Sequence, residues 1–262
     1  MIIELPRNEA PWSRCPRGFY PNHINPLMLS LDWAPIQGDV FIDWSSDAEC
    51  KPIYVNGMKL ALGSSHSYKL CQVKPDWAPV LVIDGIVMHT LEINPILYAE
   101  GKVKPIKVMG KTVLECCSGL GYVTLALLSH GARRVITVEA DPNVILLSRY
   151  NKHSRSFMDP RVDLLLSDIL IALKRFRNSA FDIIIHDPPT LKRDTGELFS
   201  ANIYGEYSRV LRRNGVMYHY LPHPGEKYRG RDIRRGIINR MRMAGFRIIK
   251  ETDDGLYAEK VA

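Results

Sequence analysis

The stretch Glu115-Cys116-Cys117-Ser118-Gly119-Leu120-Gly121 sets two glycines among small and polar residues at the end of an apolar run. Gly119 and Gly121 let the backbone turn sharply and approach a ligand with no Cβ in the way. A helix starting directly after the loop presents unpaired N–H groups to that ligand. A dinucleotide fingerprint needs a third glycine, and Thr124 stands at its place. Glu115 puts a negative charge just before the loop, which repels a pyrophosphate and favours a cation. Glu139, 20 residues beyond Gly119, has the spacing of a carboxylate that accepts from both hydroxyls of a ribose. Asp168, in Leu166-Ser167-Asp168-Ile169, is placed to accept from an adenine amino group. The predicted nucleotide site is therefore Glu115, Ser118, Gly119, Gly121, Glu139 and Asp168.

A second chemistry lies in Asp187-Pro188-Pro189. Two prolines remove two N–H donors and stiffen the turn, so their carbonyls and the Asp187 carboxylate form an acceptor-rich wall. Such a wall takes the protons of an exocyclic amino group, and these three residues are the predicted catalytic set. Cys116 and Cys117 lie in the glycine turn and read as packing residues, in spite of the nucleophile a cysteine could supply. His186 alternates with Asp187 along a strand and points to the opposite face, into the core. By the same alternation only one of His219 and Tyr220 can line the cleft.

These residues must be carried by a regular scaffold. From Lys111 onward apolar runs alternate with helical patterns. Strands are predicted at 112–116, 134–138, 162–166, 181–185 and 216–220, and helices at 122–130, 142–153, 169–176, 201–212 and 233–244. Near-continuous apolar strands between helices indicate a parallel sheet covered on both faces. A last pair of strands at 246–251 and 256–260, joined at Asp253-Asp254-Gly255, predicts a closing antiparallel hairpin. Before this, eleven of the 17 prolines fall ahead of residue 106, with Pro6, Pro11, Pro16, Pro21 and Pro26 recurring every five residues. That start should be extended and irregular. Hairpins follow around Asn56-Gly57 (52–62) and Asp84-Gly85 (80–91). The division drawn is a small β-rich region over 1–105 and an α/β domain over 106–262.

Composition bounds the function. The chain has 262 residues, 46% hydrophobic and 24% charged, which excludes a disordered, collagen-like or fibrous protein. No apolar run is long enough to span a bilayer, and no basic-then-apolar leader opens the sequence. Five cysteines at 15, 50, 71, 116 and 117 form no Cys-x-x-Cys pair, so no metal site is predicted. Their odd number implies reduced thiols and a cytoplasmic location. The net charge of +7 is uneven: residues 1–100 carry 7 basic and 11 acidic side chains, whereas residues 200–250 carry 12 and 3. A localised basic excess attracts polyanions. Tyr228, between Lys227 and Arg229, adds a surface on which a base can stack.

The motifs at 115–121, 138–143 (Val-Glu-Ala-Asp-Pro-Asn), 167–169 and 187–189 together resemble class I S-adenosylmethionine-dependent methyltransferases, over roughly residues 105–262. The resemblance implies a Rossmann-like seven-stranded sheet with an antiparallel last strand, and S-adenosylmethionine as cofactor. Asp84-Gly85-Ile86-Val87-Met88-His89, Ile184 to Pro189 and Lys227 to Asp232 resemble the predicted archaeal methyltransferases. Asp-Pro-Pro-Thr is similar to a motif of some RNA guanine-N2 methyltransferases. The expectation drawn is methylation of an amino nitrogen of an RNA base, with RNA held by Arg229, Arg231, Arg234 and Arg235. The segment 181–215 also resembles spermidine synthases, which transfer an aminopropyl group from a decarboxylated cofactor. That reading ranks second, because those enzymes need an acidic channel for a polycation. A non-catalytic RNA-binding protein on the same fold ranks third.

Overall fold

A computed structural model describes residues 38–261, apart from 64–65, 192–194, 223–224, 226 and 229–230; ahead of these it describes residue 35 and two short strands. Seven strands build the central sheet: β1 (Thr112–Cys116), β2 (Arg134–Glu139), β3 (Val162–Leu166), β4 (Phe181–His186), β5 (Leu211–Tyr220), β6 (Phe246–Thr252) and β7 (Gly255–Lys260). Their spatial order is β3-β2-β1-β4-β5-β7-β6. β7 runs antiparallel to both of its neighbours and the rest are parallel. The Rossmann-like α/β class and the antiparallel final hairpin are as the sequence predicts. The sheet also extends past β3. Leu29–Leu31 pairs antiparallel with Leu165 and Leu166, and Trp12–Ser13 pairs with it in turn. The proline periodicity points to irregular chain there, and backbone pairing to an open sheet edge overrides it locally.

Along the buried strands successive side chains enter opposite layers. Leu114, Ile136, Ile184 and Met217 belong to one hydrophobic cluster with Tyr204, Tyr207, Ile237 and Met241. These partners come from helices α5 (Ala201–Val210) and α6 (Ile233–Met243). Val113, Val135, Ile183 and Ile185 belong to the other cluster, with helices α1 (Pro95–Val103), α2 (Tyr122–Ser129) and α3 (Pro142–Ser148). Both layers being apolar explains why these strands read as continuous hydrophobic runs. Two helices end three or more residues earlier than predicted. α3 stops at Ser148 and the chain continues as a 3-10 helix over Lys152–Met158. α4 (Ile169–Leu173) has five residues.

The N-terminal sheet orders Val40–Ile42, Lys51–Val55, Ser67–Gln72, Val80–Ile83 and Ile86–Val87, with Met58–Lys59 and Ala61–Gly63 paired beside them. Both predicted hairpin turns form. Asn56 and Gly57 have φ of 51° and 76°, and Asp84 and Gly85 have 50° and 78°, the two positive values a type I′ turn requires. Tyr68, Leu70 and Leu81 of this sheet join the cluster containing Val113 and Leu127. Tyr68 donates to Asp141 Oδ2 at 2.7 Å, and Tyr122 donates to the Pro79 carbonyl at 2.5 Å. Cys50 and Cys71 are joined in a disulfide, their Cα atoms 5.3 Å apart. This corrects the expectation of reduced thiols throughout, because strand pairing brings together two cysteines 21 positions apart in sequence. No helix among the described residues is long and apolar enough to cross a membrane.

Candidate active site

β1 ends in a loop held by two bonds to the neighbouring strand: Cys117 and Ser118 both donate from their backbone N–H to the Val138 carbonyl. Gly119 has φ +53° and open space where a Cβ would stand. Gly121 has φ +77°, and a Cβ there would meet the Phe157 ring at 2.6 Å. The freedom of Gly119 thus leaves a cradle, while that of Gly121 lets a core phenylalanine close over the turn. The expectation that a side chain at Gly121 intrudes on a ligand is corrected: it intrudes on Phe157. No side chain among the described residues caps α2, which starts directly after this glycine. Ser118 Oγ is buried and makes no hydrogen bond among the described residues.

Glu115 is buried in β1, with Thr124 donating its hydroxyl to Oε2. Burial pushes its carboxyl up to about 7, with the nearby Asp187 charge adding to the rise. Thr124, where a dinucleotide fingerprint has glycine, is thus Glu115's partner. Glu139 accepts from Gly119 N at 2.9 Å on Oε2, and from Ala140 N at 2.9 Å and Asp141 N at 3.0 Å on Oε1. A carboxylate has about four acceptor sites, so three are taken by backbone. Its first role is to clamp the glycine loop to the β2–α3 turn, which leaves one site for a hydroxyl where two were expected. Burial raises its carboxyl above the ordinary range. Asp168 is exposed and caps α4, accepting from Leu170 N at 2.7 Å.

On the other side of β1, β4 delivers Asp187 to the same end of the sheet, and its N–H donates to the Cys116 carbonyl at 3.4 Å. Pro188 is buried, and Pro189 and Thr190 are exposed. The Asp187 carboxylate does not stand alone. Lys102 Nζ lies 2.5 Å from its Oδ2, and the two side chains are 7% and 25% exposed. The same ammonium lies 4.2 Å from the Tyr98 ring centroid and 5.9 Å from that of Tyr218. Sequence reasoning missed Lys102 and Tyr98 because it placed no helix at 95–103. The signal was present in Asn94-Pro95: Asn94 caps α1 by accepting from Ile96 N at 3.1 Å, and Pro95 occupies the first helical turn. Tyr98 and Lys102, one turn apart, then share a face. Burial and the neighbouring Asp254 carboxylate raise the Tyr98 phenol. His89 completes this wall; burial, then the Lys102 charge, lower its imidazole to about 4.

His186 falls where the alternation argument put it, and one member of the His219/Tyr220 pair turns inward. His186 is buried, bonded to the Leu198 carbonyl through Nε2 and to Tyr207 through Nδ1. His219 is buried against Tyr204, which leaves Tyr220 as the member of that pair able to reach the cleft. Burial pushes the Cys116 thiol up to about 12 and the Cys117 thiol well above its ordinary value, so neither is a nucleophile at neutral pH. No group of three or more His, Cys, Asp or Glu side chains among the described residues could hold a metal.

The basic segment is less free than its charge suggests. Arg234 is 8% exposed and donates to the Thr252 and Asp253 carbonyls at 2.6 and 2.9 Å, so it is not part of an RNA-facing rim. Arg209 donates to the Leu173 and Phe176 carbonyls and Arg212 pairs with Asp182. Arg235 is exposed. Arg229 lies outside the described residues, and Arg231 belongs to a two-residue strand, Arg231–Asp232, of whose arginine only the backbone is described.

A sheet ordered 3-2-1-4-5-7-6, with a glycine loop after its first strand and acids at the next strand ends, defines a Rossmann-like transferase fold. Within that class, the sequence model of the spermine/spermidine synthase domain matches residues 68–226, and the chain belongs to that family of enzymes. It is 38% identical over 200 residues to an uncharacterized protein of Methanocaldococcus jannaschii, covering 76% of this chain and 68% of the relative. It is 27% identical over 147 residues to a polyamine aminopropyltransferase of Thermoplasma volcanium, covering 54% of each. The spermidine synthase of Thermotoga maritima superposes with a TM-score of 0.61 over 87% of this chain and 81% of that one, at 19% identity, which is a likeness of fold. The family match overturns the expectation of an RNA-base methyltransferase. That expectation drew on methyltransferase-like motifs and, for its RNA partner, on a basic segment in which Arg209, Arg212 and Arg234 spend their charges on protein carbonyls and a carboxylate.

Proposed function

We propose that the chain is an aminopropyl transferase, moving the aminopropyl group of decarboxylated S-adenosylmethionine to an amine. The observation that carries this is the clustering of Asp187, Tyr98 and Tyr218 around an ammonium. A carboxylate flanked by aromatic faces is the chemistry that stabilises an alkylammonium, and here it stabilises that of Lys102. The donor side fits an adenosyl sulfonium. Ser118 Oγ is buried with no partner among the described residues, Gly119 leaves its cradle open, and Glu115 is a buried acid that a cation would ionise. Gly119, Ser118, Glu139 and Asp168 would hold the nucleoside, with Glu115 and Asp187 near the sulfonium.

The sulfonium supplies an electrophilic carbon and a neutral leaving group. The acceptor nitrogen bonds to the propyl carbon attached to sulfur, and the carbon–sulfur bond breaks with its electron pair leaving on sulfur as a thioether. One proton leaves the nitrogen for Asp187 or water. The Asp187–Lys102 pair is neutral overall, so it does not hold the acceptor in its protonated, non-nucleophilic form. The positioning role of Lys102 is to fix the carboxylate where the proton departs. The test is incubation with the decarboxylated donor and, separately, with S-adenosylmethionine, each with a pool of amines. The expected product is heavier by one aminopropyl group. Methyl transfer from S-adenosylmethionine with no aminopropyl product overturns the reading.

A further inference from the structure

The edge of the sheet opposite Asp187 carries a cleft of about 510 Å³. Its walls are the segment that follows α1, the starts of β4 and β5, and the outer strands β6 and β7. Ile106 and Ile183, both buried, give it an apolar floor, and Ile249 stands exposed at its side. Lys107, Lys111, Arg213 and Lys250 line it as well. All four are exposed, and among the described residues none of their side chains forms a hydrogen bond or an ion pair. The one acid among the lining residues is Asp182, and it is already engaged. Its Oδ2 accepts from Thr112 N at 2.9 Å, and its Oδ1 accepts from Arg212 at 2.6 Å. Unlike Arg209 and Arg234, these four cations are not consumed by the protein's own carbonyls.

We propose that this cleft binds a nucleoside triphosphate, with its phosphates on Lys107, Lys111, Arg213 and Lys250 and its base on the isoleucines. The inference does not rest on the aminopropyl reading. β4 runs from the cleft at Asp182 to Asp187 beyond its other end, so a ligand here touches neither the donor nor the acceptor residues. Four cations without a counter-charge call for a multiply charged anion, and a concave wall focuses their field. A guanidinium fork beside ammonium groups matches the oxygens of phosphate. The apolar floor does nothing for an inorganic anion, whereas the flat face of a base loses water against it. The volume falls within the roughly 300–1,000 Å³ of small-molecule sites. A nucleic-acid strand would need a cationic track that continues along its backbone. Here the other arginines of the basic segment, Arg209 and Arg234, are tied to the protein.

The experiment is calorimetric titration of the intact protein with ATP, inorganic tripolyphosphate, adenosine and a short oligouridylate. Each titration is run with and without excess 5′-methylthioadenosine, which competes for any nucleoside site beside Gly119. ATP should bind equally well in both conditions, at least tenfold more tightly than tripolyphosphate or adenosine, and more weakly as salt is added. Arg213→Gln and the double variant Lys107→Gln/Lys111→Gln should each lose at least tenfold in ATP affinity. Arg242→Gln removes an exposed cation from α6, on the other face of the sheet, and should change nothing. The replaced side chains are exposed, so the variants should melt with the wild type. No ATP binding by the wild type at low salt overturns the proposal with no variant needed. So does ATP binding that methylthioadenosine abolishes, or an equal loss in Arg242→Gln. Tripolyphosphate binding as tightly as ATP overturns the nucleotide assignment, and oligouridylate binding more tightly than ATP through the same residues overturns it in favour of RNA.

Discussion

Replacing Glu115 by glutamine tests the electrostatics of the glycine loop without disturbing its packing. The Glu115 carboxyl is raised from 4.5 to about 7, with burial the first cause. Below pH 4.5 it is protonated in folded and unfolded chain alike and contributes nothing. Between 4.5 and 7 the unfolded chain ionises it while the folded chain keeps the proton, so stability falls as pH rises, by about 1.4 kcal/mol per unit. Above 7 the folded chain carries a buried charge at a cost of about 3 kcal/mol. The glutamine side chain carries no charge at any pH. Its carbonyl can take the Thr124 hydroxyl, and its amide can donate to the buried hydroxyl oxygen of Thr137, which stands opposite Glu115 in the β1–β2 ladder. Glu115→Gln and wild type should therefore melt close together near pH 5 and diverge up to pH 8, with the variant higher by about 6–12 °C for a chain of this size. A bound sulfonium should reverse the order, because the cation needs the ionised acid. Its affinity for the wild type should fall as pH drops through 7, and that fall should be absent in the variant. A melting difference that stays constant from pH 5 to 8 would refute the assignment of a raised Glu115.

Gly121→Ala should cost about 1–3 kcal/mol of stability, since the φ is +77° and Phe157 stands 2.6 Å from the new Cβ; chemical denaturation reads this directly. Gly119→Ala, with open space around its Cβ, should lose more ligand affinity than stability, and calorimetry beside denaturation separates the two. Reductant should lower the melting temperature through the Cys50–Cys71 bridge, which closes a loop of about 20 residues worth roughly 3 kcal/mol; a Cys50→Ser/Cys71→Ser protein should show no response. Asp187→Asn should keep nucleoside affinity while transfer falls by about two to three orders of magnitude, a split visible by comparing calorimetry with turnover. Undiminished turnover would make Asp187 structural.

What the sequence carried and what it hid divide along a physical line. Strand ends, glycine turns and the alternation of His186 with Asp187 are local: each follows from a backbone period or a missing Cβ within a few residues. These alone put Glu115, Gly119, Glu139, Asp168 and Asp187 on one edge of the sheet. Partnerships across the fold are not local. Lys102 and Asp187 are 85 positions apart, and neither residue's neighbours announce the other. The same distance effect misled the charge argument. Arg234 contributes to a basic sum, yet in space its guanidinium is consumed by the Thr252 and Asp253 carbonyls. A net charge is a property of composition, whereas the potential at a site depends on which charges remain after each has met its nearest carbonyl or carboxylate. For a polycation-handling family this distinction decides the chemistry. Within the positive segment that argued against an amine acceptor, Arg209 and Arg234 are tied to protein carbonyls. The positive charge seated against Asp187, on Lys102, comes from a helix outside that segment.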